Sequence, residues 1–141
     1  MVARGYPSLV RILMVDDVEP FRRCISSVLK TRAGLHIAGE AADGIEAVQK
    51  ATDLKPDVIL LDIGLPIQNG IEAAHRIRQT NTETKIIFLT QNNDVDIAQA
   101  ALSNGVQGYV LKQDAGSELL PAIEAVLRGE KFVSGRLETL I

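Results

Sequence analysis

Short aliphatic runs alternate five times along the chain with longer stretches in which apolar residues recur at intervals of three and four. The runs cover residues 9–15, 35–40, 57–61, 85–90 and 108–111. Their nearly continuous apolar character is that of strands buried on both faces, as in a parallel sheet. The stretches between and after them, near residues 18–32, 43–53, 69–79, 94–104 and 117–128, predict helices with one buried face. Ile45, Val48 and Gln49 mark that face in the second helix, and Ile71, Ala74 and Ile77 in the third. Asp43-Gly44-Ile45-Glu46 and Asn69-Gly70-Ile71-Glu72 are near copies. Each offers a capping oxygen followed three residues later by a Glu that can reach back. The likeness ends within a few residues, so it reflects shared capping chemistry and not an internal repeat. Pro20 and Pro121 fall in predicted first turns, and Gly34, Gly105 and Gly129 fall where helices should stop.

Five βα units joined by right-handed crossovers predict an α/β fold, a doubly wound five-stranded parallel sheet with five helices in a three-layer sandwich. The expected strand order is 2-1-3-4-5. Ligands in such sheets bind at the carboxyl ends of the strands, at the switch point between strands 1 and 3.

Composition narrows the function. A length of 141 residues suits one domain, and 46% hydrophobic with 4% aromatic content leaves the packing to aliphatic side chains. With a net charge of −3 and no run of Lys or Arg, the segment lacks the basic footprint of a nucleic-acid binder. Cys24 stands alone, which suits a reducing cytoplasm, and no apolar stretch approaches a membrane span. Residues 1–8 read as a flexible lead-in without the apolar core of a secretory signal.

The candidate chemistry lies at the strand ends. Strand 1 ends in Asp16-Asp17, strand 3 in Asp62, strand 4 in Thr90 and strand 5 in Lys112. Three carboxylates brought together need a counter-charge. A hard divalent cation, Mg²⁺ or Mn²⁺, held by one or two carboxylates with waters and phosphate oxygens, meets that need. An Asp carboxylate can attack phosphorus to form an acyl phosphate. Asp62, on the central strand, is the candidate acceptor, with Lys112 and Thr90 to hold the phosphoryl oxygens. Taken singly each residue has a plainer reading. Asp17 could cap the helix that follows, Thr90 could be an ordinary β-branched strand residue, and Lys112 a solvated charge. Their joint placement at the ends of strands 1, 3, 4 and 5 favours the site. His36 and His75 are far apart with no partner at metal-ligand spacing, and Cys24 reads as packed or half-exposed.

Asp16-Asp17, Val-Ile-Leu-Leu-Asp62-Ile-Gly-Leu-Pro66, Leu-Thr90 and Gly-Tyr109-Val-Leu-Lys112 together resemble the signature of response-regulator receiver domains, over about residues 11–128. Leu-Pro-x-x-Asn-Gly70-Ile, Gln113-Asp-Ala, Leu119-Leu120 and Gly129-Glu resemble the NarL/LuxR-type subfamily. The resemblance implies a flavodoxin-like fold and phosphorylation of Asp62 by the phosphohistidine of a sensor histidine kinase. It implies Mg²⁺ bound by Asp17, Asp62 and the backbone carbonyl of Gly64, with Asp16 helping largely through water. It implies a switch in which Tyr109 turns inward as Thr90 moves toward the phosphate, and homodimerisation on phosphorylation. Residues 9–130 would then be the receiver, and 131–141 the start of a linker to a helix-turn-helix output domain through which DNA would be contacted; a stand-alone receiver is the alternative.

Two positions depart from the common pattern: Gln91 follows the Thr where many receivers have a small residue, and Gln113 follows the Lys where many have Pro. A phosphatase of the haloacid-dehalogenase type also uses an Asp nucleophile with Thr and Lys. Its second Asp, two residues on, is absent here, since Asp62 is followed by Ile63 and Gly64.

Overall fold

In the computed structural model, which describes residues 9–138, the aliphatic runs form parallel strands β1 (Val10–Val15), β2 (Leu35–Ala41), β3 (Val58–Leu61), β4 (Lys85–Thr90) and β5 (Gly108–Leu111). The lead-in at 1–8 and the last residues, 139–141, lie outside the described residues. Between the strands run α1 (Glu19–Leu29), α2 (Gly44–Leu54), α3 (Gly70–Thr80) and α4 (Val95–Ser103). A 3₁₀ turn (Lys112–Asp114) then leads into α5 (Ala115–Leu127). Side-chain alternation divides the core into two layers. Leu13, Val15, Ile59, Leu61 and Phe88 face the α2, α3 and α4 side. Ile12, Met14, Leu60, Ile87 and Val110 face α1 and α5.

The sheet order is β2-β1-β3-β4-β5-β6, so the expected order holds and a sixth strand is added. This strand, β6 (Phe132–Val133), pairs parallel to β5 and is followed by a single-turn helix, α6 (Gly135–Glu138). Phe132 N donates to Gln107 O at 3.0 Å and Ser134 N to Tyr109 O at 2.9 Å. Ser134 and Leu137 are buried. The described part of the expected linker therefore completes the sheet edge. Two strand residues between polar neighbours carry no periodicity to read.

Three local expectations change. Ile45 and Ile71 are 54% and 45% exposed. The faces of α2 and α3 that meet the sheet are built from Ala47 and Ala51, and from Ala73, Ala74 and Ile77. Small residues let these helices approach the strands closely, which rotates the larger isoleucines outward. Pro121 lies in the interior of α5, because that helix starts earlier than expected, at Ala115. Pro121 and Ser117, whose carbonyl loses its helical donor, are both exposed. Water can satisfy that carbonyl while Leu119, Ala122, Ile123 and Val126 bury the opposite face. Cys24 is exposed.

The caps work as expected only in part. Asp43 Oδ1 accepts from Glu46 N at 2.8 Å, and Glu46 reaches back to Ala42 N at 2.8 Å. Asn69 accepts from Glu72 N at 2.9 Å, but Glu72 turns to Arg76 instead. Gly70 matters more than its cap. A Cβ there would stand 2.0 Å from the backbone oxygen of Asp62, and Gly70 N donates to Ile63 O at 2.8 Å. The start of α3 is thereby pulled against the end of β3. The intervening loop turns sharply at Ile67, whose φ is 68°, as Gln68 N donates to Pro66 O at 2.7 Å. A β-branched residue at positive φ in such a γ-turn is strained.

Candidate functional site

β1 and β3 are adjacent and in register, Val15 opposite Leu61, so the residues that follow each strand emerge side by side. These are Asp16 and Asp62, both buried, at 4% and 7% exposure. Asp62 N donates to Val15 O at 3.0 Å, which ties the two strand ends together. One carboxylate oxygen each from Asp16, Asp17 and Asp62 lies within 4.8 Å of the others.

Lys112 reaches over from the end of β5. Its Nζ is 2.6 Å from Asp16 Oδ2 and 3.2 Å from Asp62 Oδ2. The ammonium also lies 4.4 Å from the centre of the Phe21 ring, within cation–π range. Burial opposes the charge on Lys112 more than any other single cause. The hydrogen bond to Asp16, the charges of Asp62 and Asp16, and the hydrogen bond to Asp62 outweigh it together and raise the lysine's pKa. Three carboxylates against one ammonium leave a local charge of −2, which matches one divalent cation. Neighbouring oxygens on an octahedral Mg²⁺ stand about 3 Å apart, so the carboxylates must draw in by up to about 2 Å or reach the ion partly through its waters. The donor set fits.

Each acidic residue has a distinct setting. Asp16 Oδ1 accepts from Val18 N at 2.9 Å, and the Asp16 carbonyl accepts from Arg22 Nη1 at 2.5 Å. Arg22 is held in turn by Glu40 at 2.7 Å. Asp17 is exposed, and it does not cap α1, whose N-cap is Val18 without a side-chain cap. The plainer reading of Asp17 as a helix cap therefore fails. Asp62 Oδ1 accepts from Gly64 N at 3.2 Å; Gly64 itself is exposed, and a Cβ there would meet nothing within 4 Å.

Thr90 ends β4 opposite Leu111, the residue before Lys112. It is buried, and its Oγ1 accepts from Asn92 N at 3.2 Å, which leaves the hydroxyl hydrogen free to donate. Tyr109 lies fully inside, edge-on to Phe88 with ring centres 6.1 Å apart. Its hydroxyl donates to Asn92 O at 2.7 Å. Burial first, then the charges of Asp94 and Asp62, push its pKa up to about 12. The backbone of Asn92 thus joins Thr90 to Tyr109. No side-chain signal could have marked it, because both contacts are main-chain. Phe21 and Arg22 also escaped the sequence reading, although an aromatic and a cation in the first turn after Asp16-Asp17 were a legible hint. Gln91 is exposed beside Thr90, and no cis peptide occurs among the described residues, Lys112–Gln113 included. His36 and His75 are exposed, and neither joins this cluster.

The family model for the response regulator receiver domain matches residues 12–124. The chain belongs to that family. The oxygen regulatory protein NreC of Staphylococcus aureus is 37% identical over 131 residues, covering 92% of this chain and 60% of its own length. The chain therefore spans about 60% of the length of the curated relatives it matches. A two-component response regulator of the LuxR family from Aurantimonas sp. SI85-9A1 superposes with a TM-score of 0.89 at 34% identity, covering 93% of this chain and 94% of that one. The RcsB response regulator of Salmonella typhimurium, from work on conformational dynamism for DNA interaction, gives 0.88 at 26% identity, over 95% of this receiver and 67% of that chain. Another RcsB structure, at 27% identity and 0.86 over 94% of this receiver and 67% of that chain, holds two dimers bound to two parallel DNAs. Among the described residues of the receiver, no helix is long and apolar enough to cross a membrane.

Proposed function

We propose that the receiver is a phosphorylation switch whose acceptor is Asp62. The observation that carries this reading is the buried Asp16–Lys112–Asp62 bridge at the switch point of the sheet. Buried carboxylates paired in a structural role need no third acid, yet Asp17 stands within reach of both.

A carboxylate oxygen of Asp62 attacks the phosphorus of a phosphohistidine on a sensor histidine kinase. The P–O bond forms as the P–N bond breaks, and the electron pair stays on the imidazole nitrogen. Lys112 has a third N–H beyond the two that meet Asp16 and Asp62, and it serves a phosphoryl oxygen. Thr90 donates its free hydroxyl hydrogen to a second. Asp16, Asp17, Asp62 and the backbone carbonyl of Gly64 are the groups to hold Mg²⁺ or Mn²⁺, which when bound neutralises charge on the transferring group. Thr90, drawn toward the phosphate, moves the Asn92 backbone and with it the hold on the Tyr109 hydroxyl, which biases the surface around α4, β5 and α5. Hydrolysis returns the Asp62 carboxylate, so the domain acts as a reversible mark and not as a turnover enzyme.

The full-length protein, on this reading, regulates transcription from the cytoplasm. It contacts DNA through a separate helix-turn-helix domain and dimerises on phosphorylation; RcsB dimers bound to DNA support the DNA contact and the dimer, and the greater length of NreC supports a further segment. A net charge of −3 gives this segment no DNA footprint of its own.

The test is intact-mass measurement after incubation with phosphoramidate or acetyl phosphate and Mg²⁺. One phosphate is expected on the native chain and none on Asp62→Asn. Retention of the phosphate by Asp62→Asn would overturn the site. Sustained turnover of a generic phosphomonoester would replace the switch by the phosphatase reading.

A further inference from the structure

α3 packs closely on α2 but barely touches α4. The space between α3 and α4 is a cleft of about 550 Å³, within the range that holds small organic ligands. Its floor is apolar, with Phe88, Ala101 and Val106 all buried. One wall carries an anomaly. Nη1 of Arg78 is buried and has no hydrogen-bond partner among the described residues. The guanidinium sits against Gly105, where a Cβ would stand 2.7 Å from Nη2 and 2.9 Å from Cζ. Gly105 is required by its φ of +94° at the end of α4, and it also leaves room for the Arg78 guanidinium. Nη1 has no accessible surface here, so a ligand reaches it only if the guanidinium turns toward the cleft; a buried N–H on a cation is expensive without an acceptor, and a carboxylate is its best partner.

We propose that this cleft binds a small amphipathic carboxylate, with its anionic end on Arg78 and its hydrocarbon body over Phe88. The charges along the cleft set that orientation. Glu72 and Asp96 line it from the first turns of α3 and α4, whereas Arg78 and Asn104 line it where those helices end. Glu72 and Arg78 are six residues apart, about 9 Å along the helix. A ligand with one negative end and an aryl or alkyl body of that length satisfies Arg78 without meeting the acidic end. A dicarboxylate of the same length would be repelled there. His75, on the same wall, is 3.3 Å from Gln79. The occupant would rest on the Phe88 ring, whose other neighbour is Tyr109. The cleft is thereby joined to the segment that carries Thr90 and Asn92, although it shares no residue with the Asp62 cluster.

The experiment is an amide-resolved NMR titration of the unphosphorylated protein with 4-phenylbutyrate, and with its neutral amide as control. The carboxylate should give saturable shifts at Ala101 and Val106 with a Kd below about 1 mM. The amide should bind at least tenfold more weakly, and Arg78→Gln should weaken the carboxylate by a similar factor. Ala100→Leu, at the exposed mouth, should weaken both ligands by filling their space. Absence of saturable shifts, equal affinity for acid and amide, or unchanged binding in Arg78→Gln would each overturn the proposal. Should Arg78→Gln fail to fold, the acid–amide comparison on the native chain decides. The titration requires no phosphorylation, so failure here and failure of the Asp62 reading are separate results.

Discussion

Lys112 shows how one side chain can carry both the electrostatics and the chemistry of a site. Its ammonium separates two buried carboxylates, 2.6 Å from one and 3.2 Å from the other. Replacing it by Met would leave Asp16 and Asp62 facing each other with no counter-charge. Removing one partner from a buried ionic cluster typically costs about 3 kcal/mol. Lys112→Met should therefore lose about that much stability to urea in the presence of a chelator. Millimolar Mg²⁺ should restore part of it, by binding the folded form alone. If Mg²⁺ leaves the variant's midpoint where the chelator put it, the three aspartates are not a cation site. Gln91 belongs to the same scale. It is exposed beside the buried Thr90, where a shorter residue would open the approach to the phosphoryl group. Gln91→Ala should speed both labelling by acetyl phosphate and loss of the label by a few-fold, and unchanged rates for both would show that the side chain points away from the path.

At the scale of elements, the contribution of β6 and α6 is the largest addition to the expected fold. Ser134 is fully buried and holds three elements together. Its Oγ accepts from Leu111 N at 2.8 Å and donates to Glu118 Oε1 at 2.5 Å, while Gly135 N donates to Glu118 Oε2 at 3.0 Å. Arg136 adds an ion pair to Asp114 at 2.8 Å. The segment after α5 is thus clamped to the last residue of β5, next door to Lys112. Ser134→Ala should cost about 2 kcal/mol, because the buried Leu111 N–H loses its acceptor. Hydrogen exchange at Leu111 should accelerate in the variant, and unaltered exchange there would mean that another group takes the place of the serine.

For the whole molecule, a pH response is expected on the alkaline side. The Tyr109 pKa is raised to about 12 and that of Lys112 is raised above its ordinary 10.5. Between about pH 10 and 12 the unfolded chain sheds protons that the folded chain keeps, so folding stability falls as pH rises. Below pH 10 these two groups contribute their full stabilisation. Urea midpoints should hold level to about pH 9 and then decline, with the tyrosine share on the order of 2 kcal/mol by pH 12. Tyr109→Phe should flatten the decline while costing about 1 kcal/mol at neutral pH, since the Asn92 carbonyl loses its donor. An equally steep alkaline decline in Tyr109→Phe would assign the effect elsewhere.

The alternation of aliphatic runs and three-and-four spaced stretches was enough to determine the five strands, the order of the central sheet and the positions of Asp16, Asp17, Asp62, Thr90 and Lys112 at its carboxyl edge. Period and strand-end position are local properties of a chain, and parallel α/β topology leaves few ways to assemble them. The family resemblance rests on those same residues. What the sequence could not decide depends on contacts between distant segments. Whether Ile45 or Ala47 faces the sheet is set by how closely α2 can approach it. Pro121 is tolerated inside α5 because it and Ser117 lie on the exposed side of that helix. The sixth strand exists because β5 offers an edge for two residues to pair with. The Asn92 link between Thr90 and Tyr109 is made by main-chain atoms, which every residue carries alike. The unpartnered nitrogen of Arg78 arises only where α3 meets Gly105 at the end of α4. Tertiary packing decides such features because it determines which polar atoms lose water and which partners remain within reach.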